Sequence, residues 1–136
     1  MKAEEIMIGD WVLLDTNYSE ENPMYTQPNY QPYRIQNGDC IDFACETNCI
    51  GDADVYQPIP LTAEIMLNNK FEKFRFLKDF YCIDGNKCLY TDCKEVGIWT
   101  RNIAGDWEWF AIGECKYVHE LQHALRLCGI EKEIEL

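Results

Sequence analysis

A chain of 136 residues with 47% hydrophobic and 13% aromatic content carries enough apolar side chain for a sizeable core, which excludes wholesale disorder and fits one domain or two small modules. Its formal charge of −12 repels phosphate backbones and argues against direct nucleic-acid binding. No window approaches the roughly 18 continuous apolar residues of a membrane helix, and the opening MKAEEIMIGDWVLL lacks the basic region and cleavage site of a secretory signal, so a cytoplasmic protein without membrane contact is expected.

The charge is unevenly placed. Residues 1–60 hold eleven acidic side chains against Lys2 and Arg34, a net −9, and residues 61–136 hold thirteen against ten, a net −3. Solubility accounts for such acidity. A basic protein partner, or mimicry of a nucleic acid toward one, would use it.

In chain order, Gly9-Asp10 reads as a turn and Trp11 to Leu14 as a strand. TNYSEENPMYTQPNYQPY reads as a long loop with short extended pieces, because its three prolines remove ladder donors. Its tyrosines, Tyr18, Tyr25, Tyr30 and Tyr33, are expected to hold the loop down. YRIQNGDCIDFAC reads as a hairpin around Asn37-Gly38, a pair suited to the positive φ angles of a type I′ turn. DVYQPIPL is a short strand halted by Pro58 and Pro60. Short strands after a Gly-Asp-Trp-Val opening suggest that residues 1–60 form an acidic SH3-like β-barrel module.

Residues 61–136 are expected to share a second core. Thr62 can cap a helix that Asn68-Asn69 ends. An antiparallel meander of about four strands follows, turning at Asp84-Gly85-Asn86 and Ala104-Gly105-Asp106. In its last run Trp107, Trp109 and Ala111 alternate with Glu108, Phe110 and Ile112. Two apolar faces imply a strand covered on both sides. A C-terminal helix then ends at Gly129, with Ile130 folding back toward Leu125. The alternating tail IEKEIEL reads as an edge strand. The fold class is therefore α+β.

Eight cysteines, at 40, 45, 49, 82, 88, 93, 115 and 128, include no C-x-x-C pair. Most are expected to be small buried hydrophobes rather than zinc ligands. Asp52-Ala53-Asp54 begins like a calcium loop but lacks the later oxygens. Cys115, four residues before His119, invites a thiol–imidazole pair, although a buried thiol is simpler.

The sharpest motif is His119-Glu120-Leu121-Gln122-His123, an H-E-x-x-H segment resembling that of zinc metallopeptidases. His119 and His123 lie one helical turn apart and can reach one zinc ion, with Glu120 as general base. A third ligand is needed. Glu131, Glu133 or Glu135 could return to supply it, as a glutamate does in gluzincins, but the helix that carries it there has no counterpart here. On a wheel, Tyr117, Val118, Leu121, Ala124, Leu125 and Cys128 cluster on one side, with His119, His123 and Arg126 nearly opposite. The imidazoles are therefore expected to face water, with no metal bound.

Three further segments, IGDWV, PIPLTAEIMLNNKFEK and YVHELQHALRLCGIEKEIEL, together resemble small uncharacterised proteins of Bacteroidales bacteria and their phages or mobile elements. Members of that group read closer to VHQLQN at the zinc motif, which implies that zinc chemistry is not what the shared fold serves. The expected function is a non-enzymatic binding or accessory protein acting through protein–protein contacts. A small zinc peptidase using His119, Glu120 and His123 is the rival.

Overall fold

The structure, a computed structural model, describes residues 7–17, 27, 29–36, 56–75, 77, 79–83 and 89–136. The Asn37-Gly38 hairpin turn, the Asp84-Gly85-Asn86 turn, Asp52-Ala53-Asp54, Tyr18, Tyr25, Cys40, Cys45, Cys49 and Cys88 lie outside the described residues. The chain divides into two compact units, Met1–Ile59 and Pro60–Leu136.

In the first unit, β1 (Trp11–Asp15) lies between β2 (Tyr30–Arg34) and β3 (Tyr56–Pro58), antiparallel to both. Both prolines of the described sheet sit on its outer strands, Pro32 opposite Leu13 and Pro58 opposite Val12. A missing N–H there can face away from the ladder. Val12 and Ile35 are buried, with Tyr33 and Tyr56 packed against them. Tyr30 and Tyr33, expected in a loop, belong to strand β2. The chain enters β1 through Gly9 at φ 86, whose N–H donates to the Ile35 carbonyl at 2.8 Å. Buried Asp10 accepts the Met7 N–H at 2.8 Å. These three described strands form an open sheet, not the closed barrel expected.

The second unit opens with α1 (Ala63–Asn68). Thr62 caps it, its hydroxyl accepting the Ile65 N–H at 3.3 Å. At the other end Phe71 N–H donates to Met66 O and Lys70 N–H to Leu67 O, the bond pair of a Schellman motif. Lys70 takes the left-handed position at φ 59. Five antiparallel strands follow in spatial order: β4 (Glu72–Lys73), β5 (Tyr81–Cys82), β6 (Leu89–Thr91), β7 (Glu95–Arg101) and β8 (Trp107–Glu114). The expected four-strand meander gains the two-residue β4. Gly105, at φ 86, turns β7 into β8.

One face of this sheet carries an aromatic cluster. Trp99 and Trp109 are directly paired across β7 and β8, with ring centroids 5.4 Å apart. Phe80 meets them at 5.3 and 4.9 Å, and Phe74 touches Tyr90 at 4.7 Å. Offset and edge-on contacts of this kind suit the ring quadrupoles. The sheet is irregular between Val96 and Gly97, where β8 contributes an extra residue. A Cβ on Gly97 would overlap the Phe110 carbonyl oxygen and lie 2.8 Å from the Trp109 ring, so glycine is required by space.

The last helix, α2 (Val118–Leu127), ends in a second Schellman pair, Ile130 to Leu125 O and Gly129 to Arg126 O, with Gly129 at φ 67. The expected turn-back is present. The expected terminal edge strand is not: residues 130–136 form no ladder. Instead Asn69 acts as a side-chain stand-in for a neighbouring strand. Its Nδ2 donates to Glu135 O at 2.8 Å, and its Oδ1 accepts Glu135 N–H at 2.8 Å. Ile134 is buried beside this clasp in sequence. The tail's alternation was set by anchoring one side chain, not by strand pairing.

No helix among the described residues is long and apolar enough to cross a membrane.

Candidate functional site

The segment before α2 is tied to the start of the second unit: Leu61 N–H donates to Lys116 O at 2.7 Å, and Pro60 bridges Tyr117. This fixes where the helix begins, and Glu120 completes the start. Its Oε2 accepts the backbone N–H of Lys116 at 2.6 Å and of Tyr117 at 3.1 Å. A carboxylate at the third helical position, facing the positive end of the helix, is the acidic half of a capping box. The side chain proposed as a general base is thus committed to backbone donors.

His119 corrects the helical-wheel expectation. It is buried, 4% exposed, and so is Gln122 at 5%. His123 is half-buried, whereas Leu127 is 87% exposed. The buried arc runs through Val118, His119, Leu121, Gln122 and Leu125. It is rotated by roughly 70° from the arc of greatest hydrophobicity, at 100° per residue. The wheel failed because His119 has its own packing partner. Its ring stacks on Tyr117, with centroids 5.8 Å apart and planes 9° from parallel.

His119 and His123 do come together, with ring centroids 5.8 Å apart and planes at 75°. The helix therefore supplies two adjacent imidazoles, as its spacing requires. It does not supply the remainder of a zinc centre. Among the described residues no group of three or more His, Cys, Asp or Glu side chains could hold a metal ion. Glu131, Glu133 and Glu135 are exposed, and Glu135 lines a cavity of about 420 Å³ with Glu64, Ile65, Asn68 and Leu136. Among the described residues, two imidazoles leave the donor set short of the three ligands that a catalytic zinc takes.

Cys115 is fully buried. Burial, foremost, pushes its thiol up to about 12; the Thr91 hydrogen bond pulls the other way, and the charges of Glu120, Cys93 and Asp92 add to the rise. A nucleophilic thiol needs its thiolate, so Cys115 belongs to the core. Cys93, in the left-handed conformation at φ 64 on the β6–β7 turn, is likewise raised to about 11, first by burial and then by Asp92.

No family model, curated protein or solved structure matches this chain.

What the chain leaves open is β8. It is the last strand of its sheet, and Phe110 and Ile112 are 50% and 67% exposed. The two-sided burial expected of this strand is therefore corrected: Trp109 enters the aromatic cluster, whereas Phe110 and Ile112 stand in water. Alternating apolar faces in a sequence do not distinguish a sandwiched strand from an edge whose outer face awaits contact. Ile103, at the hairpin tip between β7 and β8, is fully exposed as well.

Proposed function

We propose that this chain is a non-enzymatic binding or accessory module acting through protein–protein contacts, related to the Bacteroidales and mobile-element proteins that its sequence resembles. The observation carrying this reading is the exposed apolar strand β8, with Phe110 and Ile112 in solvent. Exposed large apolar side chains grouped on one element are costly to leave in water and mark contact surfaces. Two observations weigh against the alternative chemistry: Glu120 caps its own helix and Cys115 is held as a buried thiol.

The acidic charge favours a basic partner through long-range steering. The three antiparallel strands of the first unit are compatible with an SH3-like module, a common protein-binding frame. Thiols at Cys93, Cys115 and Cys128 fit a reducing, cytoplasmic setting. The zinc-peptidase reading keeps one observation in its favour, the adjacency of His119 and His123.

Affinity capture from host lysate over a range of salt concentrations tests the first reading. A stoichiometric protein partner released by rising salt is expected; recovery of none at any salt overturns it. Metal analysis of untagged protein tests the rival. Stoichiometric zinc that is lost on replacing His119 and His123 would restore the peptidase.

A further inference from the structure

We draw no further inference here: the strongest candidate, the outer edge of β8 around the exposed Phe110 and Ile112, is broken by the extra residue Ile112, and nothing among the described residues shows what covers it.

Discussion

Glu120 accepts the backbone N–H of Tyr117 at 3.1 Å, so the acidic residue of an H-E-x-x-H segment is spent on starting the helix that carries it. The same Oε2 takes the N–H of Lys116. The N-cap donor and the one just before it are thereby covered by one carboxylate.

Glu120→Ala is therefore expected to destabilise the fold by about 1 kcal/mol, the usual worth of an N-terminal cap. Glu120→Gln should retain much of that, because an amide oxygen accepts the same bonds. Urea unfolding of the three proteins measures the order. If glutamine is as damaging as alanine, the capping account fails. Equimolar zinc should leave the unfolding midpoint unchanged, since only a ligand that prefers the folded state raises it.

Much of this helix was legible beforehand. Gly129 and Ile130 announced its end, and Thr62 announced α1, because caps are local chemistry between residues a few positions apart. Burial of His119 was not legible. It depends on a stacked Tyr117 ring, and a hydropathy wheel scores imidazole as polar wherever it lies. The exposure of Phe110 was hidden for the opposite reason: alternation shows that a strand has two apolar faces, while only strand order shows that β8 is terminal. The tail misled because burial of Ile134 and pairing of its backbone with Asn69 reproduce the period of a strand without one.

That clasp can be broken singly. Asn69→Ala removes both bonds to Glu135 and a third to Ile65 O at 2.9 Å. A cost of about 2 kcal/mol is expected, as backbone groups near the buried Ile134 lose their partner. Asn69→Asp keeps an acceptor for the Glu135 N–H but sets a carboxylate against two carbonyls, so it should fall below wild type too. Thermal melts give the ranking, and carboxypeptidase digestion should strip residues 130–136 faster in both variants. Wild-type digestion rates in Asn69→Ala would show that the tail is held by something else.

Gly97→Ala tests the irregularity between β7 and β8. The added methyl would overlap the Phe110 carbonyl and approach the Ala111 Cα to 2.9 Å. Backbone on the opposing strand cannot yield as a flexible side chain would. A loss of about 1–3 kcal/mol is expected, with reduced near-ultraviolet signal from Trp99 and Trp109 as the strands part. A variant with wild-type stability and an unchanged aromatic spectrum would mean that the strands accommodate the methyl freely.

The thiol of Cys115 predicts an alkaline dependence whose sign is fixed by burial. The thiol loses its proton near 9.0 when exposed and near about 12 in the folded chain, chiefly because burial disfavours the thiolate. Between those values the unfolded chain binds fewer protons than the folded one, so stability falls as pH rises. Below 9.0 the contribution is fully present; above about 12 it is gone. Other groups titrate in the same range, so the comparison is with Cys115→Ala, whose stability should fall less steeply across that window. Alkylation with iodoacetamide near neutral pH should modify exposed Cys128 well before Cys115, as peptide mapping would show. Early modification of Cys115 in a folded sample, together with equal slopes for the two proteins, would mean that this thiol is open to water.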